Sequence, residues 1–492
     1  MSWGILRVGS SERTACYHDS MSDDRAARTR AHWLDTLARH RHDPDRPGSA
    51  DYWSPSLDCA GRDELRAIQD AKLAALTPFL YENSAFYRRR FDRLGLLPTD
   101  LRTVDDLPRW PVVDKTEMME DLAATPPFGT YTTHDDALWA ARGWMMFSSS
   151  GSTGVPRVFR YSQIDRELWE WANARALHAF GIRPGDTVLI CAGYGPHVFA
   201  WGVQFALARM GVACIPGGGM TAEARAMLVD RFKPTVLTCT PSYALHLGRV
   251  MAERGLDPAA SSIRTILVGG EPAAGIEGTR RRLEELWSAR LVEFYGCTEV
   301  SPHCGGYSCP ASARGPGPVT THLMEDVQVW ELVDAESRRP VAEGARGLTV
   351  CTSLNSESSP QLRFLVGDYA VLTSERCACG RTHVRAVGGF AGRADELINL
   401  RGVKMYPVQL EAAVRAVPGV GDEYEIVLAT TPDGVDVMTA RVEHPSGSIG
   451  AQVAREIQVR CEIRCDVEVL APGTLPRTEF KARRIRDTRR AG

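Results

Sequence analysis

Thr187-Val-Leu-Ile-Cys-Ala192 is apolar from its second residue onward. A strand buried on both faces requires such a run, because successive side chains point to opposite sides and neither side meets water. The pattern continues outward from it. Residues 199–210 read as a helix and 211–216 as the next strand, and the alternation goes on through 222–232, 235–240, 243–254 and 263–268. Strands alternating with helix-length segments predict a large α/β domain with a mostly parallel sheet. In such domains ligands meet the carboxyl ends of the strands. The loops expected there are Gly193-Tyr-Gly-Pro-His197, Pro241-Ser-Tyr243, Gly269-Gly-Glu-Pro272 and Tyr295-Gly-Cys-Thr-Glu299. All four carry small or polar residues.

Ahead of this alternation stands Phe147-Ser-Ser-Ser-Gly-Ser-Thr-Gly-Val-Pro-Arg-Val158. Gly151 and Gly154 can turn successive N–H groups toward one anion. Ser149, Ser150, Ser152 and Thr153 add short hydroxyl donors suited to phosphate oxygens. The competing reading is a flexible Ser/Gly linker. Apolar flanks, Pro156 and the strand-like Val158-Phe-Arg-Tyr161 argue against it. No Gly-Lys-Ser/Thr closes the loop, so it is not a Walker-type P-loop.

The chain has 492 residues, 44% hydrophobic and 24% charged, which predicts a globular protein of more than one domain. Lys+Arg 58 against Asp+Glu 61 leaves a net charge of -3, so composition offers no case for nucleic acid or an anionic membrane as partner. No apolar run reaches the roughly 18 residues of a membrane span. The N-terminus shows no signal-peptide pattern, which makes a cytoplasmic location the expectation. In that setting the 13 cysteines read as thiols or metal ligands, not as a disulfide framework.

Residues 1–50, poor in large aliphatics, are expected to form a flexible extension with one helix over 25–41. Helical spacing over 62–94 suggests two helices parted near Thr77-Pro78, and Asp114 looks like the cap of a third. Residues 320–390 alternate in the manner of strands and form a β-rich subdomain. The boundary of the large domain (51–392) falls at the small residues 388–392. Residues 393–492 read as a small, mobile α+β domain with a helix over 408–417 and a Thr431-Pro-Asp-Gly434 turn.

Taken in order, these motifs resemble the adenylate-forming ligases, the acyl- and aryl-CoA synthetase superfamily. The Ser/Thr/Gly loop, Tyr295 to Glu299, Gly367-Asp368, Gly392-Arg-Ala-Asp395 and Leu475-Pro-Arg-Thr-Glu-Phe-Lys481 carry the likeness. A nearer resemblance, to phenylacetate–coenzyme A ligases, rests on Pro126-Pro-Phe-Gly129, Lys233-Pro234, Thr240-Pro-Ser-Tyr243 and Arg401-Gly-Val-Lys-Met-Tyr-Pro407. It spans roughly residues 60 to 490.

The resemblance implies a two-step ligase using ATP, Mg²⁺ and coenzyme A. Ser149 to Gly154 would hold phosphates, and Glu299 would ligate Mg²⁺. Thr298 would contact the α-phosphate and Tyr295 would stack near adenine, beside Gly296 and Cys297. Gly270, Glu271 and Pro272 would complete the nucleotide site, together with Asp368 on the ribose and Arg393. Lys481 would act in the first step. The small domain would then pivot near Asp395 and bring Arg401 and Gly402 to coenzyme A. Three departures stand out: Arg157 where many relatives carry Lys, Val366 where Thr is usual, and Phe480 where Gly is expected.

Cys377-Ala-Cys379, on a turn with Gly380, can share a structural Zn²⁺. Cys309 and His322 resemble the remaining ligands in part of the family, with His303, Cys304 and His383 as alternatives. Tyr194, His197, Trp201, Gly218 and Tyr243 are expected to line a pocket for an aromatic carboxylic acid: phenylacetate, benzoate, or an amino- or hydroxybenzoate. A carrier-protein thiol or an amine stays open as the acyl acceptor, and so does a homodimer. A non-catalytic nucleotide-binding protein is the third reading, supported only by Phe480.

Overall fold

The computed structural model describes residues 10–149, 157–300, 305–314, 318–390, 392–401, 403–433, 435–477, 482 and 484–489. Its centre is an 11-stranded sheet. Ala213–Pro216, Thr187–Ile190, Val236–Cys239, Thr265–Val268 and Arg290–Tyr295 lie side by side in that order, all parallel. Beyond Arg290–Tyr295 the sheet turns antiparallel, through Gly306–Ser308, Thr320–Leu323, Arg385–Val387, Phe364–Thr373, Arg346–Ser353 and Gln328–Val333.

The founding run behaves as its composition demands. Val188 and Ile190 face one core, shared with Ala200 and Val203 of the helix Val198–Met210. Leu189 and Cys191 face another, shared with Ala226 and Val229 of the helix Ala222–Phe232. Each fully buried aliphatic side chain of this kind contributes about 1.5–3 kcal/mol. The chain steps from Thr187–Ile190 to Ala213–Pro216, then crosses back to Val236–Cys239 on the other side. That reversal opens a crevice at the carboxyl ends of these strands, the usual place for a ligand.

An antiparallel pair, Gly143–Ser148 with Val158–Ser162, frames the Ser/Gly loop. Ser149 N–H donates to Arg157 O at 3.0 Å, closing the base of the loop, and Ser148 N–H donates to Pro196 O at 2.8 Å, tying it to the 193–197 loop. Residues 150–156 of the loop lie outside the described residues.

The small domain holds the hairpin Ile398–Leu400 with Val403–Met405, the helix Pro407–Arg415, and a four-stranded sheet. The order in that sheet is Asp466–Leu470, Asp436–Glu443, Tyr424–Thr430, Ile485–Asp487. Arg282, on the large-domain helix Glu277–Trp287, reaches it through Nε to Asp422 Oδ1 at 2.6 Å and Nη1 to Val420 O at 3.1 Å.

Three expectations need correction. The first concerns the N-terminal stretch, which from Trp33 onward is no loose extension. The helix Ser10–Arg39 buries Trp33 and Leu37 in the core, and Trp33 stacks on Phe79 with centroids 6.1 Å apart. Its indole N–H donates to Ser356 O at 2.8 Å, and Arg30 Nη2 donates to Thr133 O at 2.6 Å, so a few residues in a polar stretch anchor it. Second, the helix Arg62–Asn83 runs straight through Pro78, and the break comes at Ser84, whose hydroxyl caps the helix Ala85–Leu94. Third, the small domain holds a second helix, Gly450–Cys461, beyond the one expected over 408–417, and its narrow buried stripe of Val453, Ile457 and Cys461 hid it. The other helix predicted from its cap does form, with Asp114 accepting from Thr116 N and Glu117 N. Among the described residues no helix is long and apolar enough to cross a membrane.

Candidate active site

Tyr295 ends the strand Arg290–Tyr295, and Asp368 lies in the neighbouring β-rich region on Phe364–Thr373. The Tyr295 hydroxyl donates to Asp368 Oδ2 at 2.6 Å. Burial and then the adjacent carboxylate push the phenol well above its ordinary range, so it stays a neutral donor. Arg393 approaches from the domain boundary, its Nη1 3.7 Å from Asp368 Oδ1. Its backbone bridges that of Asp368. The structure therefore gathers three of the expected nucleotide residues, each from a different element.

Two further residues join them that the sequence reading misses. Phe390 lies flat on the Tyr295 ring, with centroids 3.3 Å apart and planes 10° apart. Glu293 shares a strand face with Tyr295, and that two-residue spacing was the available signal. Its Oε2 accepts from Ala274 N at 2.7 Å and Ala273 N at 3.4 Å. Desolvation in its recess lifts the carboxyl to about 7. Glu293, Tyr295, Phe390 and Pro272 line one wall of a cavity of about 510 Å³, and Gln409 and Arg415 of the small domain line the other.

At the opposite end of the Tyr295-Gly-Cys-Thr-Glu299 turn, Glu299 is buried and accepts at Oε1 from Arg157 Nη2 at 2.7 Å. The carbonyl of Thr298 accepts from the Tyr161 hydroxyl at 2.5 Å, which fixes the turn against the loop-bearing strand pair. Gly296 is exposed between them, and burial raises the Cys297 thiol well above its usual range. Ser149 Oγ is buried with no hydrogen-bond partner among the described residues. That is the condition of a donor awaiting a ligand. Gly270 takes φ +83°, a backbone open to glycine, and so lets the 269–272 loop turn at the strand end.

On the acyl side, Tyr194 meets Trp201 edge to face at 5.0 Å, and the Trp201 indole donates to Gly195 O at 3.1 Å. A Cβ on Gly218 would lie 2.3 Å from the Tyr194 ring, so this close approach needs glycine. The Tyr194 hydroxyl is buried and has no partner among the described residues. His197 is exposed at the start of the helix Val198–Met210. Tyr243 is set apart from this group. It is buried in the core on the other face of the sheet, with the Arg225 guanidinium 4.8 Å above its ring.

The cysteine cluster assembles from three segments. Ligand atoms of Cys309, His322, Cys377 and Cys379 all lie within 4.8 Å of one another. Cys309 Sγ and Cys377 Sγ are 3.5 Å apart, and Cys379 Sγ is 3.3 Å from His322 Nε2. Bonds of about 2.3 Å to sulfur in a tetrahedron give comparable separations, so three thiolates and an imidazole fit a closed Zn²⁺ site. Hydrogen bonds from Cys309 and Cys377 hold Cys379 far below the usual thiol range, toward the ligating thiolate. His383 takes no place in the cluster; its Nδ1 accepts from Glu325 N at 3.1 Å. His303 and Cys304 lie outside the described residues.

Gly402, Phe480 and Lys481, like Ser150 to Gly154, lie outside the described residues. Arg401 is exposed and donates to Arg464 O at 3.2 Å. Asp395 falls within the short turn Ala394–Glu396 between the domains.

With this geometry in place, comparison with known proteins is informative. A family model described as AMP-binding enzyme matches residues 144–353. A second, AMP-binding enzyme C-terminal domain, matches residues 402–489. The chain is 33% identical over 460 residues to a phenylacetate-coenzyme A ligase of Thermus thermophilus, covering 89% of this chain and 100% of that protein. Among solved structures it is similar to a 2-hydroxyisobutyryl-CoA ligase with 2-HIB-AMP in the postadenylation state. The TM-score is 0.83 at 30% identity, over 90% of this chain and 93% of that one. The same ligase with CoA in the thioesterification state gives a TM-score of 0.69 at 30% identity, over 91% and 95%. The likeness is thus greater to the former state than to the latter.

Proposed function

Since the chain belongs to the AMP-binding enzymes and is an AMP-forming acid–thiol ligase of the adenylate-forming kind, we propose that its acid is aromatic and that coenzyme A is the acyl acceptor. In the first step a carboxylate oxygen attacks the α-phosphorus of ATP and pyrophosphate leaves. In the second the coenzyme A thiolate attacks the acyl carbon and AMP leaves.

The convergence of Glu293, Tyr295 and Phe390 on one cavity at the strand ends, with Asp368 hydrogen-bonded to Tyr295, carries this reading. The Tyr295–Phe390 stack parts to admit the adenine, and the Glu293 carboxylate accepts from its amino group. Asp368, oriented by Tyr295, accepts from the ribose hydroxyls. Ser149 and the loop after it hold the β- and γ-phosphates, and Thr298 meets the α-phosphate. Glu299 would hold the Mg²⁺ that accompanies ATP, which would neutralise charge on the phosphates, and Arg157 would pair with the polyphosphate, so that neither buried charge is left alone. Lys481 serves the first step, and rotation about Asp395 brings Arg401 and Gly402 to the thiol in the second. Tyr194 and Trp201 favour a flat ring, and the unpaired Tyr194 hydroxyl favours a hydroxyl or amino substituent on it.

The test is ATP–pyrophosphate exchange with phenylacetate, benzoate, 2-aminobenzoate and 4-hydroxybenzoate, followed by thioester detection with coenzyme A. Exchange with at least one aromatic acid and none with 2-hydroxyisobutyrate supports the reading; the reverse overturns it. Adenylate that accumulates without thioester would favour a carrier-protein or amine acceptor.

The nucleotide slot makes a pH prediction. The ionised Glu293 is much the stronger acceptor and carries no competing O–H, and its carboxyl titrates near 7. The apparent KM for ATP should therefore rise as pH falls, roughly tenfold between pH 8 and pH 6 for one such ionisation. Glu293→Gln, whose amide oxygen accepts at every pH, should flatten that rise. An unchanged profile in the variant would remove Glu293 from the slot.

Cys309, His322, Cys377 and Cys379 would hold one zinc, stapling three segments of the β-rich region without taking part in catalysis. Freshly purified protein should contain one zinc per chain. Cys377→Ser should shed it and lower the Tm, because the binding energy of a closed site is folding energy. Metal analysis finding no zinc in the wild type would contradict this.

A further inference from the structure

The sequence assigns Glu271 to the nucleotide, but both of its carboxylate oxygens are engaged by the protein. Oε2 accepts from Ser242 Oγ at 2.7 Å and Ser242 N at 3.2 Å. Oε1 accepts from Ala482 N at 2.8 Å. The first contacts stay within the large domain, since Ser242 opens the helix Pro241–Glu253. The last crosses to the small domain, at the residue that follows Lys481 in the chain.

Each side of this bond is well braced. Glu271 follows Gly270, whose turn ends the Thr265–Val268 strand crossing. Ala482 stands three residues before the strand Ile485–Asp487, which pairs with Tyr424–Thr430. Between them, Arg484 lies 4.5 Å over the Tyr424 ring, donates to Asp422 O at 3.1 Å, and faces Glu271 and Glu411. A recessed carboxylate accepting a backbone N–H forms a charge-assisted bond, stronger than a neutral one. Burial also raises the Glu271 carboxyl above its ordinary value, which marks how little solvent competes for it.

We infer that Glu271 is a positioning residue for the adenylation step: its carboxylate holds the small domain at Ala482, the residue next in sequence to Lys481. The inference rests on the ligase reading above. Rotation of the small domain must break this bond and leave a recessed carboxylate oxygen without its donor. The contact therefore favours the adenylating arrangement and opposes the turn that thioester formation needs.

The experiment compares Glu271→Ala and Glu271→Gln with the wild type, using the best acid of the panel. Glu271→Ala should lower kcat for pyrophosphate exchange by roughly 10- to 100-fold, the value of one charge-assisted bond. Its KM for ATP should change little. Thioester formation from the supplied acyl-adenylate and coenzyme A should be no slower than in the wild type, which also shows that the variant is folded. Glu271→Gln, which keeps an acceptor oxygen, should recover part of the exchange rate. A loss expressed in the KM for ATP, or an equal loss in both half-reactions, would overturn the inference while leaving the ligase reading intact. Amide hydrogen exchange of the 482–489 segment needs no substrate. Faster exchange in Glu271→Ala than in Glu271→Gln supports the bond even if every panel acid is refused, and equal protection in the two overturns it.

Discussion

Glu299→Gln is expected to lose acid-dependent pyrophosphate exchange by about a thousandfold, with its fold intact. Glu299 is buried in a pair with Arg157, so truncation to alanine would strand a buried cation. Glutamine keeps an oxygen for that guanidinium but cannot match a carboxylate as a ligand for Mg²⁺. Loss of charge stabilisation at a phosphoryl centre on this scale corresponds to about 4 kcal/mol. Melting and AMP binding should stay close to the wild type. Exchange within about threefold of the wild type, too small for any transition-state charge contact, would place the metal elsewhere.

Lys481→Ala should divide the two half-reactions. Lys481 adjoins Ala482, which is held 2.8 Å from Glu271 beside the nucleotide cavity. A cation brought there can offset charge building on the carboxylate and the α-phosphate as they join. Without it, adenylate formation should fall at least about a hundredfold. Thioester formation from a supplied acyl-adenylate should stay near the wild-type rate, because that step uses the other domain arrangement. Equal loss in both steps would remove the rotating-domain account.

The parallel sheet was legible because its strands are buried on both faces and so are apolar throughout, as Val188 to Cys191 show. The Cys/His cluster was legible for a different reason. A cysteine pair on a tight turn is a local signal, and resemblance supplied Cys309 and His322, which the fold places beside it. What escaped had no local signal. Trp33 gives no periodicity to the polar N-terminal stretch, yet its ring and indole N–H help seat the helix, with Leu37 and Arg30. Pro78 reads as a break, but the first core holds its neighbours Leu76, Phe79 and Leu80 in one helix. Glu293, Phe390 and the Glu271–Ala482 contact depend on pairings across 19 to more than 200 positions of chain. Such pairings exist only once the chain has folded, and the last only once the domains have come together.

Oxygen-isotope transfer tests the central claim most directly. The protein would be given ATP, coenzyme A and the accepted aromatic acid labelled with ¹⁸O in its carboxylate, and the products examined by mass spectrometry. Attack of the carboxylate on the α-phosphorus leaves one labelled oxygen in AMP when the thiol displaces it, and labelled AMP with aryl thioester is the predicted result. Label in inorganic phosphate together with ADP, or thioester formed beside unlabelled AMP, would contradict the account.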